Sequence, residues 1–425
     1  MLNYLKKLCK KIGPGFITGA ADDDPSGITT YSQTGAIFGY SQLWLALFSF
    51  PFMIVIQQMC GRIGMVTGKG LAGLIHTHYS KPVLYFAVSL LVIANTINIG
   101  ADLGAMATSA QMLLGLPFLF WLCLMTGLII VLEVFVTYKT YSKILKYLAL
   151  TLFAYVLTAF IIKLDWGVII KNTVLPKIQF SEDYLLNVVA ILGTTISPYL
   201  FFWQASQEVE EEIIAEKIPD MDVGTPAVTQ QNVTDMNWDT IIGMFFSQAI
   251  MFFIIITTAA TLHANGITNI ETASQAAEAL RPVAGDLAYL LFAAGIIGTG
   301  LLAVPVLAGS SAYAVAETTG LKAGLSKKPG RAPGFYGVIA ASTLIGMSIS
   351  LLGIDPIKAL YYAAALNGLA APPLMALVIL IANNKNIMGK FVNKKISNIV
   401  GWMIVCVMAV AGILLIIDML KGLLK

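Results

Sequence analysis

The sequence predicts an all-α integral membrane protein, and three observations carry that prediction. Hydrophobic residues make up 57% of the 425 residues and charged residues only 12%, whereas soluble domains carry about 25% charged residues. The mean hydropathy is +0.80. Apolar runs of about 20 residues, the length that crosses a bilayer as a helix, recur along the whole chain.

Eleven such runs, separated by charged or Pro/Gly-rich breaks, are the predicted spans 1 to 11 of one transmembrane domain covering residues 1–425. They lie near 13–38, 43–66, 83–113, 116–137, 143–163, 185–207, 240–264, 284–315, 335–353, 357–383 and 397–420. Basic residues precede the first run, but no small-residue cleavage pattern follows it. We therefore interpret it as a retained span rather than a signal peptide.

The basic residues set the orientation, because cytoplasmic loops are enriched in Lys and Arg. With the amino terminus in the cytoplasm, 19 of the 26 basic residues fall inside. The other seven lie outside, and they are Lys163, Lys171, Lys177, Arg281, Lys358, Lys421 and Lys425. A wrong number of spans would distribute the basic residues more evenly between the two sides of the membrane. We predict a multi-pass protein of the cell membrane with its amino terminus cytoplasmic and its carboxyl terminus outside.

Two spans contain helix-breaking residues. Span 1 contains "DDDPSG" at 22–27, and span 6, five spans later, contains "GTTISPY" at 193–199. Proline removes a backbone donor and glycine relaxes the chain. Unwound backbone survives at membrane depth only where protein buries it or where it lines a cavity.

Breaks at matching positions of two five-span halves indicate an inverted-repeat transporter with its substrate site at the midplane. The first repeat would cover about 13–163 and the second about 185–383, with an extra helix at about 397–420. Ordinary proline kinks are the alternative, especially at Pro198.

Three adjacent carboxylates, Asp22, Asp23 and Asp24, stand at the first break. A charge at the bilayer centre costs at least about 2.5–3.5 kcal/mol, so protons, a cation or a water-filled cavity must compensate them. Carboxylates and freed carbonyls are hard oxygen donors that suit Mg²⁺, Mn²⁺, Ca²⁺ or Na⁺. We predict a cation site here. The alternative is an extramembrane loop between two short helices.

Polar stripes give further candidates. Asn95, Asn98 and Asp102 recur in span 3 at spacings of three and four, so they share one helix face. They would form a proton relay or support the ligands, unless Asp102 is a structural acid between helices. Gln204, after the second break, begins a stripe toward Glu208 that would line a cytoplasmic exit or form a solvated helix end.

The sequence contains no Walker-A motif, nucleophile elbow or dinucleotide-binding glycine pattern at a strand-to-helix junction. We therefore predict that the protein is not an enzyme, has no cofactor and drives no transport by ATP hydrolysis of its own. Its predicted partners are a small inorganic cation and the lipid bilayer, with no nucleic acid, and we predict a monomer.

With these motifs located, the chain resembles the Nramp (natural resistance-associated macrophage protein) family of divalent metal transporters over nearly its whole length. The segments "GPGFITGAADDDPSG", "FGYSQLW", "GRIGMVTGKGL", "LGTTISPY" and "ANGITNIETA" are similar to family segments. The resemblance implies a LeuT-type inverted 5+5 repeat with discontinuous helices 1 and 6. It also implies inward movement of a divalent metal by alternating access.

The chain departs from the family's metal-site motifs at several positions. The family's Asp-Pro-Gly-Asn reads Asp-Pro-Ser-Gly at 24–27, so the Asn side chain is lost. Its Met-Pro-His reads Ser-Pro-Tyr at 197–199, which replaces a thioether by a hydroxyl. Ile99 stands where span 3 usually has a second acid, and Ala365, with Asn367 nearby, where span 10 usually has a glutamine.

The resemblance and these departures together give the predicted site. The predicted metal ligands are Asp24, assisted by Asp23 or Asp22, the Ser197 hydroxyl and the Thr194 carbonyl. The surrounding residues or partial proton path are Asp102, Asn98, Tyr199, Gln204 and Asn367. The harder, more acidic ligand set favours Mg²⁺ or Mn²⁺, and the lost acid and histidine argue against proton-coupled symport.

Two alternatives keep the fold and change the function. An organic or amine cation could meet the aspartates, with Tyr31, Tyr199 and Trp203 offering cation–π faces. A non-transporting, receptor-like relative is the other alternative, because fold does not fix function.

Overall fold

The computed structural model of the chain describes residues 13–136 and 152–423. The α-helices, in chain order, are α1 (Pro14–Asp22), α2 (Pro25–Phe38), α3 (Trp44–Thr67), α4 (Leu71–His78), α5 (Lys81–Leu114), α6 (Phe118–Phe135), α7 (Phe153–Ile161), α8 (Trp166–Val174), α9 (Glu182–Thr195), α10 (Pro198–Ile214), α11 (Gln230–Thr261), α12 (Ala273–Glu278), α13 (Arg281–Ala284), α14 (Ala288–Thr319), α15 (Pro333–Ser350), α16 (Pro356–Asn383), α17 (Lys385–Met388) and α18 (Lys395–Leu423). One isolated bridge joins Asp220 and Val223.

The all-helical membrane architecture is confirmed. Within the described ranges, nine helical segments are long and apolar enough to cross a membrane, and they match predicted spans 2, 3, 4 and 6 to 11. Span 1 is divided between α1 and α2, which have 9 and 14 residues. Of span 5, α7 lies within the described residues, whereas 143–151 lie outside them. The total of eleven spans therefore stays a prediction, as do the repeat boundaries.

Several helix bounds differ from the prediction, because hydropathy shows which residues can lie in the membrane and not where a helix begins or ends. α10 continues to Ile214 instead of ending near 207, since its Glu and Gln residues are good helix formers. α11 begins at Gln230 instead of near 240, because a capping box between Thr229 and Asn232 starts the helix there. Short helices such as α4 and α8 lie between spans and were not predicted.

Both predicted breaks are present. α1 ends at Asp22 and α2 begins at Pro25, while α9 ends at Thr195 and α10 begins at Pro198. Proline fits the first position of a helix because the backbone N–H it lacks has no partner there. Each proline therefore starts a new helix, and the alternative of a kink within one continuous helix is wrong at both positions.

Glycines let the broken helices approach their neighbours to backbone contact. A Cβ at Gly19 of α1 would lie 2.2 Å from the carbonyl carbon and oxygen of Gly243 in α11. A Cβ at Gly193 of α9 would lie 2.3 Å from the backbone nitrogen of Gly368 in α16. Small residues at such contacts are typical of helix packing in membranes, and here they fix the two half-helices that end at the breaks.

Candidate functional site

The acids at the first break lie inside the protein. Asp22 and Asp23 are 0% exposed, Asp24 is 1% exposed, and Asp102 of α5 is 0% exposed. The acids are therefore not in a solvent-exposed loop, because the chain on both sides of the break is helical and packed among other helices, and their depth in the membrane stays a prediction.

Asp24 caps α2 and has the most hydrogen-bond donors of the three consecutive acids. Its Oδ1 accepts hydrogen bonds from the Gly27 backbone N–H at 2.6 Å and from the Ser26 hydroxyl at 2.7 Å. Its Oδ2 accepts one from the Asn98 amide at 2.9 Å. A carboxylate at a helix N-terminus also interacts favourably with the helix dipole. These contacts hold Asp24 in one orientation.

The polar stripe of α5 divides into two parts. The Asn98 amide nitrogen also donates to Asp102 Oδ2 at 3.3 Å, whereas Asp102 Oδ1 and Asn98 Oδ1 are buried without a partner. Asn95, nearly one turn away, donates to the hydroxyls of Ser310 and Ser311 in α14 at 2.8 and 2.9 Å. Asn98 and Asp102 thus belong to the break, and Asn95 belongs to the contact between α5 and α14.

The second break faces the first. The Ser26 and Thr194 hydroxyl oxygens are 3.5 Å apart. The Ser197 hydroxyl oxygen lies 2.7 Å from the Gly193 carbonyl and 2.8 Å from the Thr194 carbonyl, so its one hydrogen is shared between these two oxygens. The Tyr199 hydroxyl donates to the Ala21 carbonyl at 2.9 Å and ties α10 to the end of α1. The structure therefore brings Thr194, Ser197 and Tyr199 to the first break.

Asp22 and Asp23 point to a different helix from Asp24. The Ser247 hydroxyl oxygen of α11 lies 2.6 Å from Asp22 Oδ2 and 3.3 Å from Asp23 Oδ1. The other carboxylate oxygen of each acid is buried without a partner. Ser247 is not among the predicted site residues, because its only signal in the sequence is one small hydroxyl in an apolar span. The three consecutive acids are thus shared between α5 and α11.

Two predicted residues make no hydrogen bond to these acids within the described part of the chain. The Gln204 amide nitrogen donates to Glu208 at 2.8 Å, one turn further along α10 and away from the break. Asn367 of α16 is 1% exposed, and neither atom of its amide has a partner. Their place around the ligands stays a prediction.

The donor set at the breaks is made of oxygen atoms. No group of three or more His, Cys, Asp or Glu side chains in residues 13–136 and 152–423 is arranged to hold a metal ion. Instead the carboxylates come in pairs, supplemented by hydroxyls and amides. None of the ion pairs among the described residues includes the four acids. Such ligands suit Mg²⁺, Ca²⁺ or Mn²⁺ better than soft metals.

A cavity of about 450 Å³ lies between α2, α9, α16 and the segment 268–270. Thr29 and Gln33, which follow the first break on α2, line it, as do Asn269, Asp183 and Lys358. The Gln33 amide donates to Asn269 at 2.7 Å. The Thr29 hydroxyl is buried without a partner.

Comparisons with known proteins agree with this architecture. A family model described as natural resistance-associated macrophage protein-like (Nramp) matches residues 15–418. The divalent metal cation transporter MntH of Klebsiella pneumoniae (strain 342) is 25% identical over 417 residues, which cover 97% of this chain and 94% of that protein.

Solved structures show the same fold. A manganese transporter of Eremococcus coleocola, in complex with an aromatic bis-isothiourea substituted compound, has a TM-score of 0.73 at 16% identity, covering 96% of this chain and 86% of that one. A nucleobase-cation-symport-1 family transporter in a closed conformation has a TM-score of 0.58 at 13% identity, covering 95% and 90%. At these identities the likeness concerns the fold alone, and it confirms the predicted LeuT-type architecture.

Proposed function

The chain belongs to the Nramp family, whose members are membrane transporters and not enzymes, and from this premise we propose that it carries a divalent metal cation into the cell by alternating access. The observation that carries the proposal is a cluster of Asp24, Asn98 and Asp102, called here the Asp24 group. In it the Asn98 amide joins two buried carboxylates where the two helix breaks meet. We further propose a monomer in the cell membrane, with its amino terminus cytoplasmic and its carboxyl terminus outside.

Asp24 is the central ligand in this proposal. Asp102 supplies the second charge through its unpartnered Oδ1, and Thr194 supplies an oxygen from the second break. Gly27 stands where the family has an Asn. The Thr194 hydroxyl takes up the room beside it, since a Cβ at Gly27 would lie 3.1 Å from the Thr194 hydroxyl oxygen. The Ser197 hydroxyl contacts the Gly193 and Thr194 carbonyls at the end of α9, and the Tyr199 hydroxyl donates to the Ala21 carbonyl near the end of α1.

We propose Mg²⁺ or Mn²⁺ as the ion, with transport independent of protons. The described ligand atoms are carboxylate, hydroxyl and amide oxygens without a thioether, and Mg²⁺ keeps several waters while it uses few carboxylates. The aromatic alternative for an organic cation has less support, because Trp203 packs its ring on Gly309 and its centroid lies 6.3 Å from that of Tyr313.

The test is uptake by the purified chain in proteoliposomes. We expect uptake of Mg²⁺ and Mn²⁺ and little uptake of Cd²⁺, with the same initial rate in the presence and absence of a pH gradient. Competition by small amines and no metal flux would favour the organic cation. No flux and no heat of binding with Mg²⁺, Mn²⁺ or Ca²⁺ would favour a receptor-like protein.

Ser197→Met is expected to shift selectivity toward soft metals. The thioether prefers transition metals such as Cd²⁺ to Mg²⁺, and the substitution also removes the hydroxyl that the Gly193 and Thr194 carbonyls now share. We expect the ratio of Cd²⁺ to Mg²⁺ uptake to rise about tenfold, which corresponds to about 1.4 kcal/mol. Ser197→Ala is the matched control, because it removes the hydroxyl without adding sulfur. An equal ratio in both variants would show that residue 197 does not contact the ion.

A further inference from the structure

Asp22 and Asp23 are buried acids with too few hydrogen-bond donors of their own. Both are 0% exposed, and both lie within hydrogen-bond distance of the single hydroxyl of Ser247. A hydroxyl has one hydrogen, so Ser247 donates to only one of the two carboxylates at a time. Asp24, by contrast, accepts from three separate groups. The poorly compensated negative charge therefore lies at Asp22 and Asp23.

The end of α1 adds to this negative charge. Asp22 is the last residue of the helix and Asp23 is its C-cap. The last carbonyl groups of a helix form the negative end of its dipole, where cations are favoured. Two ionised carboxylates at such an end raise the free energy of the fold unless a cation or protons neutralise them.

One divalent ion does not balance the four buried acids in their ionised form. Asp22, Asp23, Asp24 and Asp102 are four buried carboxylates, and no ion pair of the described residues includes any of them. One divalent cation in the Asp24 group offsets two of these charges. The other two belong to Asp22 and Asp23, which face α11 rather than α5.

The Tyr31 hydroxyl adds a buried neutral oxygen near this pair. Tyr31 lies on α2 and is 0% exposed, and its hydroxyl makes no hydrogen bond of good geometry. The groups around it are the Thr194 side chain and the carboxylates of Asp22, Asp23 and Asp24. A neutral oxygen from a third helix therefore stands near the two acids, with the Thr194 side chain as its polar neighbour.

We propose that Asp22, Asp23, Ser247 and Tyr31 form a second binding site for a hard divalent cation, Mg²⁺ or Mn²⁺, distinct from the Asp24 group. The site offers two charged and two neutral oxygens, and water completes the coordination of an ion such as Mg²⁺. The inference rests on the proposed function for the first ion and adds a second ion per chain.

The experiment counts Mn²⁺ ions bound to the purified full-length chain in nanodiscs, from the electron paramagnetic resonance signal of free Mn²⁺ and from calorimetry. We expect two equivalents for the wild type, one for the double variant Asp22→Asn/Asp23→Asn, and one for Asp24→Asn. Two equivalents in the double variant would overturn the second site. A single wild-type equivalent that both variants lose would overturn it too, because the acids would then share one ion.

A milder substitution tests the same site with less disturbance of the fold. Ser247→Ala is expected to weaken one of the two Mn²⁺ equivalents about tenfold and leave the other unchanged. Thr126→Val is its control, since the buried Thr126 hydroxyl of α6 donates to the Leu122 carbonyl of its own helix at 2.7 Å. Unchanged binding in Ser247→Ala would count against the second site.

Two further outcomes separate the competing explanations. If the infrared band of a protonated carboxyl group persists in the Mg²⁺-saturated wild type and disappears in Asp22→Asn/Asp23→Asn, the pair holds a proton and the second site is overturned. If the double variant still binds one ion and the wild type shows no metal uptake in proteoliposomes, the proposed transport fails while the two-site inference stands.

Discussion

Asp24→Asn is expected to reduce the initial rate of Mg²⁺ or Mn²⁺ uptake into proteoliposomes at least about 100-fold. The variant keeps the shape of the side chain, so its Oδ1 still accepts from Gly27 and Ser26 and still caps α2. It removes the charge, however, and truncating one partner of a buried charge pair costs about 2–5 kcal/mol. About 2.8 kcal/mol corresponds to a factor of 100.

Asp165→Asn is the matched control for this change. Asp165 caps α8 in the same manner, with its Oδ1 accepting from the backbone N–H groups of Gly167 and Val168 at 2.9 and 3.1 Å, but at an exposed helix start. We expect wild-type uptake and an unchanged melting temperature. If Asp24→Asn retained more than half of the wild-type rate at equal protein content, the ion would not depend on Asp24.

The helix breaks were predictable because their causes are local. Proline and glycine act on the backbone wherever they stand, so "DDDPSG" and "GTTISPY" marked the two gaps without knowledge of the packing. The burial of Asp24 and its contact with Asn98 follow from the same reasoning, since a polar helix face in a membrane protein turns toward other polar groups.

The division of the three acids was not predictable from their spacing. In the sequence Asp22, Asp23 and Asp24 are equivalent neighbours, but the break makes Asp22 the end of one helix and Asp24 the cap of the next. Their side chains therefore diverge, and the partner of Asp22 is set by the packing of α1 on α11. Ser247 is 225 positions away in sequence, and nothing local to it indicates the contact.

Gly19→Ala is expected to destabilise the protein by about 3 kcal/mol, because overpacking a close contact costs about 1–3 kcal/mol or more. The new Cβ would lie 2.2 Å from the Gly243 carbonyl group and 2.7 Å from the Gly243 Cα. These are backbone atoms that no rotamer change can move. We expect the melting temperature of the detergent-purified protein, measured by intrinsic fluorescence, to fall by roughly 3 °C.

Gly127→Ala is the control for this loss of stability, because a Cβ at Gly127 of α6 would meet nothing within 4 Å. Alanine is the better helix former by about 1 kcal/mol, so we expect an equal or slightly higher melting temperature. A Gly19→Ala protein that melts with the wild type would contradict the close packing of α1 on α11.

The contact between α1 and α11 links stability to ion binding. The two helices run parallel, so successive residues of α1 contact successive residues of α11. A Cβ at Gly15 would meet Thr240 at 2.7 Å, Gly19 meets Gly243, and one turn later Asp22 meets Ser247. A side chain at position 19 pushes α1 away from α11 and therefore separates Asp22 from its hydroxyl. We expect Gly19→Ala, at a temperature where it is folded, to bind one Mn²⁺ where the wild type binds two, whereas Gly127→Ala binds both. Two ions bound by Gly19→Ala would show that the position of α1 on α11 does not control the second site.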